Sequence, residues 1–239
     1  MPALFAQRPS IVAATLPFAD TKCVCQTLIQ SLEYILGPSL FRGSFTNNEV
    51  VRDAAAKFAL GGLVGGWHLA GDKNNVEVLL HAGLNKILLH VRDPRASALV
   101  NARMRYFRDY PDLLKAGRYP KIFTAPMENE TFDHRIDNFV RKAVIWLTTW
   151  LDAIESCPRL NVLIRSHEEL VGDPHYYFAS VLDFYSIRPV PLQITSMDET
   201  LLFGGSEPGA WRQGISAEQL HRLTAMIPPR LFTHFGWAN

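Results

Sequence analysis

The chain has 239 residues, 48% of them hydrophobic and 20% charged, with 24 Lys and Arg against 23 Asp and Glu for a formal net charge of +1. That composition excludes a disordered polymer, a collagen-like repeat and a coiled coil. The balanced charge supplies no global field to draw in nucleic acid or an anionic membrane.

Three cysteines, Cys23, Cys25 and Cys157, leave one over from any pairing. Cys23-Val24-Cys25 lacks the two-residue gap of redox and zinc motifs, so all three read as reduced structural thiols, and no metal-ligand spacing is present. No run approaches the roughly 18 apolar residues of a membrane span. Residues 1–10 hold one Arg and two Pro without a long apolar core, unlike a signal peptide. A soluble cytoplasmic protein is expected.

Residues 11–15, Ile-Val-Ala-Ala-Thr, lie between Pro9-Ser10 and Pro17 and read as a buried first strand. After a polar loop, Val24, Leu28, Leu32, Ile35 and Leu36 recur at helical spacing, and Gly37-Pro38 stops the helix. Residues 42–48 read as a loop and 50–60 as a helix ended by Gly61-Gly62. Residues 63–69 form a short strand carrying His68 at its end, and 76–81 a short helix closed by Gly83. Lys86-Ile-Leu-Leu-His-Val91 is the clearest buried strand; Arg92-Asp93-Pro94-Arg95 turns out of it into a helix over 95–107.

Residues 109–127 carry three Pro and no steady period, as expected of a long excursion over an active face that holds an acceptor substrate. A long helix over 131–154 follows, with Phe139, Ala143, Trp146, Leu147, Trp150 and Ile154 on one stripe suited to core packing. Residues 161–165 form another strand, Asp173-Pro174 opens a helix to about 185, and 186–209 is irregular. Ser216-Ala217-Glu218-Gln219 has the form of a capping box and starts a last helix. Strands alternating with helices predict an α/β protein, and without repeat or linker the expected organisation is one domain over 1–239.

Three segments bear the chemistry. Val91-Arg92-Asp93-Pro94-Arg95-Ala96-Ser97 puts an Arg at a strand's carboxyl end beside a helix start, where free N–H groups and a two-pronged guanidinium suit an anion; an ion pair with Asp93 or a surface acid accounts equally for the Arg. Arg165-Ser166-His167-Glu168-Glu169-Leu170, leading to Asp173-Pro174, again follows a strand. Gly204-Gly205-Ser206-Glu207-Pro208-Gly209-Ala210-Trp211-Arg212 is a glycine-rich loop that suits wrapping over a nucleotide, or a surface loop anchored by Trp211.

The order strand–RDPR–helix, strand–HEEL–xxDP–helix and a G-x-W-R loop resembles the sulfotransferases, over nearly the whole chain. The resemblance implies a three-layer, P-loop-like α/β fold with a central parallel sheet flanked by helices. It also implies 3′-phosphoadenosine 5′-phosphosulfate (PAPS) as sulfuryl donor and no metal. Arg92 matches the Arg that holds the donor's 3′-phosphate. The family's second ligand, a Ser eight residues on, is Val100 here, with Ser97 or Asn101 as substitutes. His167 stands where a Tyr lies near the adenine. Gly209, Trp211 and Arg212 match the loop closing on the 3′-phosphate, although Gly204-Gly205 replace the basic pair ahead of it.

The family's phosphosulfate loop, P-K-S-G-T-T-W-L, aligns with Pro17-Phe18-Ala19-Asp20-Thr21-Lys22-Cys23-Val24. Pro17 and Thr21 match. Phe18 replaces the Lys, Asp20 the Gly and Cys23 the stacking Trp, and an Asp in an anion cradle is electrostatically unfavourable. Lys22 supplies a replacement ammonium for binding and catalysis. No G-x-x-x-x-G-K-[ST] is present, which argues against an ordinary ATP site. His68 matches the family's general base for an acceptor hydroxyl, a role its near-neutral pKa suits, and also fits a hydrogen-bonded structural histidine. The resulting expectation is sulfuryl transfer to a carbohydrate or small-metabolite hydroxyl. The rivals are an inactive binding or scaffold protein of the same fold and a transferase using another activated donor.

Overall fold

The computed structural model describes residues 8–109, 127, 129–196 and 209–237. The acceptor excursion expected over 109–127 and Gly204-Gly205 with the three residues after them therefore lie almost wholly outside the described residues. The chain divides into two compact units, one drawn from Met1–Val91 and Thr148–Met197, the other from Arg92–Leu147 and Asp198–Asn239.

The first unit is built on a five-stranded parallel sheet. In chain order it contains β1 (Ile11–Thr15), α1 (Thr21–Leu32), β2 (Ile35–Leu36), β3 (Phe41–Ser44), β4 (Asn47–Val50), α2 (Arg52–Phe58), β5 (Leu63–Trp67), α3 (Lys73–His81) and β6 (Lys86–Val91). The sheet order is β2-β5-β1-β6-β7, where β7 is Asn161–Ser166. The register sets Ala14 opposite Trp67, Thr15 opposite His90 and Val91 opposite Ser166. β1 lies fully buried at the centre, as an uninterrupted apolar run in a parallel sheet should. The connections leave β1 first toward β5 and then toward β6. The carboxyl ends of these strands thus flank a topological switch point, the usual place for a ligand in an open α/β sheet.

One face of the sheet packs Ile11, Ala13, Val64 and Leu88 against Val24 and Leu28 of α1 and against Tyr177, Phe178 and Val181. The last three belong to a helix, Pro174–Phe184, with Asp173 at its N-cap accepting from Tyr176 N–H. A short helix, His167–Gly172, precedes it and is fixed by a capping box between Ser166 and Glu169.

Two expectations are corrected here. The first helix ends at Leu32, not Leu36. Glu33 takes a left-handed φ of 54° as its C-cap, and Ile35–Leu36 becomes an edge strand paired with Leu63 and Val64. A short apolar run fits either period, and backbone partners at the sheet edge (Gly62 O for Ile35 N–H, Val64 O for Gly37 N–H) decide it. Residues 42–48 are not a loop but most of the β3–β4 hairpin, which pairs Phe41 with Val50 and Ser44 with Asn47.

The second unit contains α4 (Pro94–Asp109), most of α5 (Glu130–Ser156), a 3₁₀ turn at Ala210–Gly214 and two further helices, Ala217–Ala225 and Pro229–Phe235. The expected capping box at Ser216 and Gln219 is formed. Arg222 of that helix pairs with Asp133 at 2.9 Å and Asp137 at 3.1 Å on α5. Arg95, fully buried, is the keystone. Its guanidinium meets Asp93 at 2.7 Å, donates to Thr224 Oγ1 at 2.9 Å, and lies 5.1 Å from the ring centres of both Trp211 and Phe232. One charged plane so ties the start of α4, the 3₁₀ turn and both last helices together. Among the described residues, no helix is long and apolar enough to cross a membrane.

Candidate functional site

In the first unit, the carboxyl ends of β1 and β5 and the first turn of α1 bring Thr15, Thr21 and His68 together. Thr15 is the last residue of β1, His68 directly follows β5, and Thr21 opens α1. Gly66 permits the approach of α1, because a Cβ there would come within 2.4 Å of Cys25 Sγ and 2.5 Å of Thr21 Cγ2. Thr21 Oγ1 donates to Thr15 Oγ1 at 2.8 Å, and Thr15 Oγ1 donates in turn to Trp67 O at 3.4 Å. His68 Nδ1 lies 2.9 Å from Thr15 O. A carbonyl only accepts, so the ring carries its proton on Nδ1 and leaves Nε2 with a lone pair. Among the described residues, no hydrogen-bond partner meets Nε2. Burial holds the His68 pKa below its ordinary 6.5, against the smaller upward pull of the Thr15 carbonyl, so the ring is neutral near pH 7. The side chain is half-buried, with the Phe45 ring near-perpendicular to it and 6.1 Å away between ring centres.

The loop from β1 to α1 is held from β6. His90, fully buried, donates from Nε2 to Ala19 O and accepts at Nδ1 from Tyr177 Oη at 2.8 Å. Leu16 N–H donates to His90 O at 3.0 Å. Within this loop Phe18 and Asp20 both take left-handed backbone, φ 65° and 64°. Asp20 therefore keeps the conformation that a glycine adopts freely, and Asp is among the few other residues that enter it readily. Its side chain is buried at the N-cap of α1 but makes no capping hydrogen bond to that helix. Lys22, second residue of α1, is exposed. Burial pushes the Cys23 thiol up to about 11 and the Cys25 thiol up to about 12, and both stay protonated at neutral pH. His167, also in this unit, is the buried first residue of its helix.

In the second unit, Arg92 lies buried just ahead of α4. Ser97 occupies the first turns of α4, its N–H bonded to Asp93 O. The Ser97 hydroxyl is fully buried and meets no hydrogen-bond partner among the described residues, an orphan that a bound group would satisfy. Asn101, one turn on, accepts from Arg105 Nε at 3.2 Å. Gly209 caps the 3₁₀ turn at φ 86°, Arg212 N–H donates to its carbonyl at 3.1 Å, and the Arg212 guanidinium lies 4.9 Å from the Trp211 ring centre. Trp211 is buried, and the Arg95 guanidinium also lies 5.1 Å from its ring centre. Among the described residues, no three His, Cys, Asp or Glu gather as a metal site would need.

Comparison with solved structures gives the architecture its name. A mouse sulfotransferase, SULT7A1, complexed with PAP, superimposes with a TM-score of 0.55 over 94% of this chain and 85% of its own, at 16% identity. A sulfotransferase domain from the curacin biosynthetic pathway gives 0.52 over 97% and 99% at 13% identity. A sulfotransferase from Alicyclobacillus acidocaldarius gives 0.51 over 98% of both chains at 15% identity. This is the sulfotransferase fold. At these identities the likeness carries the fold alone. No protein-family model matches the sequence, and no curated protein matches it.

Thr15 was not singled out from the sequence, although a polar residue closing an apolar strand marks the sheet's carboxyl edge. Gly66 gives no signal of its role, since its partners on α1 are remote in the chain.

Proposed function

We propose that the protein transfers a sulfuryl group from PAPS to a hydroxyl of a small-molecule or carbohydrate acceptor. The observation that carries the reading is the tethered His68: neutral, its Nδ1 proton committed to Thr15 O, its Nε2 lone pair open, at the carboxyl edge of the parallel sheet. A general base must combine the right protonation state with a fixed ring, and this residue has both. In the proposed step the acceptor oxygen forms a bond to sulfur as its proton passes to His68 Nε2. The bond from sulfur to the 5′-phosphate oxygen breaks, and adenosine 3′,5′-bisphosphate leaves with that electron pair. Thr21 and the first amides of α1 stabilise the charge gathering on the leaving phosphate, helped by Lys22 in the same turn. The resemblance assigns the 3′-phosphate to Arg92, to Ser97 or Asn101, and to the loop of Gly209, Trp211 and Arg212, with His167 toward the adenine. The orphaned Ser97 hydroxyl supports Ser97 over Asn101, whose carbonyl already accepts from Arg105. A cytoplasmic setting and a single functional domain belong to the same proposal.

A second reading rests on Asp20. A carboxylate buried at the start of α1 opposes an anionic donor, which favours an inactive binding protein or a donor of another kind. Calorimetry with adenosine 3′,5′-bisphosphate and a mass-spectrometric assay of PAPS consumption over a panel of hydroxyl acceptors separate the two. Binding with turnover that collapses in His68→Ala supports the enzyme. Binding without turnover supports the scaffold, and no binding rejects PAPS as donor.

A further inference from the structure

The three residues that carry the chain out of β5, His68 to Ala70, have their carbonyls held by side chains. Asn48 Nδ2 donates to His68 O at 3.0 Å, Trp150 Nε1 to Leu69 O at 2.7 Å, and Asn75 Nδ2 to Ala70 O at 3.1 Å. Two N–H groups are held in the same manner: Ala70 N–H by Asn48 Oδ1 at 3.1 Å, and Gly71 N–H by Thr149 Oγ1 at 3.0 Å. Asn48 thus grips the segment on both sides with one carboxamide. It is itself buried and backed by Asn75, which bonds its main-chain carbonyl at 3.0 Å and its Oδ1 at 3.2 Å. Asn75 is anchored in turn by Asp72 and by Val50 N–H. A buried stretch of irregular backbone must find partners for its polar groups, but regular turns do this without two interlocked asparagines from separate elements.

We infer that Asn48, supported by Asn75, is a positioning residue for His68. It fixes the main-chain carbonyl of His68 while the Thr15 carbonyl fixes the ring, so that Nε2 is held in one orientation. The inference rests on the proposed role of His68 as general base. Its function would be to keep the base in near-attack geometry, where a displacement of about 1 Å costs on the order of 100-fold in rate.

The test uses Asn48→Ala, with folding checked by circular dichroism. We expect kcat to fall between about tenfold and 100-fold while the affinity for adenosine 3′,5′-bisphosphate changes less than twofold. In a His68→Ala background the same substitution should cost nothing further, because its effect passes through the missing ring. An imidazole ¹⁵N spectrum at neutral pH gives a readout independent of turnover. The parent should show the proton on Nδ1 of His68, and Asn48→Ala a mixture of tautomers. An unchanged kcat, a penalty that multiplies with that of His68→Ala, or an unchanged ¹⁵N spectrum overturns the inference. If the parent does not turn over, the transfer reading fails, and the spectrum alone decides whether the clamp orients the ring. Asn48→Ser, which keeps one polar atom in the buried position, takes the place of Asn48→Ala if that variant does not fold, and the same outcomes are read.

Discussion

The carbonyl oxygen of Thr15 lies 2.9 Å from Nδ1 of His68 and thereby chooses the tautomer of the imidazole. Because burial also holds the ring below its ordinary pKa of 6.5, the neutral form persists into mildly acidic solution. The acid limb of kcat/KM against pH should therefore have its midpoint below 6.5, and activity should survive where an exposed histidine base would already be protonated. Stability follows the same sign. The unfolded chain takes up the proton more readily, so this residue's contribution is complete above 6.5 and is lost as pH falls toward the lower native value. A midpoint at or above 6.5 would count against a buried, tethered base.

Asp20 carries two opposed properties at one position, a left-handed backbone that suits the loop and a charge that does not. Asp20→Asn keeps the first and removes the second. It should bind adenosine 3′,5′-bisphosphate about tenfold more tightly, or ~1.4 kcal/mol. Asp20→Gly should do the same, and should exceed Asp20→Ala in stability by ~1 kcal/mol because alanine resists positive φ. Calorimetry and urea unfolding measure the two effects. Equal stability of the Gly and Ala variants would mean the loop does not hold that backbone in solution.

Tyr177→Phe removes the hydroxyl that donates to His90 Nδ1 at 2.8 Å, deep in the core. A buried acceptor left without its partner costs about 1–3 kcal/mol. Because His90 also holds Ala19, ligand affinity at the β1–α1 loop should fall along with the urea midpoint. A midpoint equal to that of the parent would show that the Tyr177–His90 bond adds nothing to the loop.

Arg95→Met leaves the Asp93 carboxylate buried without the bidentate partner that holds it at 2.7 Å. Breaking a buried pair from one side costs about 3–5 kcal/mol. Urea or thermal unfolding should register that loss, whereas Arg92, one turn of chain earlier, is expected to act on ligand binding. A change under ~1 kcal/mol would remove Arg95 from its place as the keystone of the second unit.

Ile11–Thr15, Lys86–Val91 and Asn161–Ser166 are legible as strands because each holds a short apolar run bounded by turn residues, and in the first two central burial in the sheet tolerates little else. The capping box at Ser216 and the stop of the helix before Gly83 were legible for the same local reason: the signal and its partner lie within four residues. Residues 35–36 and 42–48 were misread because their fate depends on pairing partners elsewhere, Leu63–Val64 for the first pair and the opposite arm of the hairpin for the second.

At the site, sequence alone determined the candidates: His68 after a strand, Thr21 before a helix, Arg92 at a turn, and an aspartate where an anion loop tolerates it poorly. Only the tertiary structure decided which nitrogen of His68 keeps its proton, that Asp20 adopts a glycine-like backbone, that Arg95 ties together the elements of its unit, and that Asn48 and Asn75 stand behind the base. Each of these depends on hydrogen bonds or packing between groups distant in the chain or on a backbone angle, and directional contacts of that kind leave no periodic trace in a sequence.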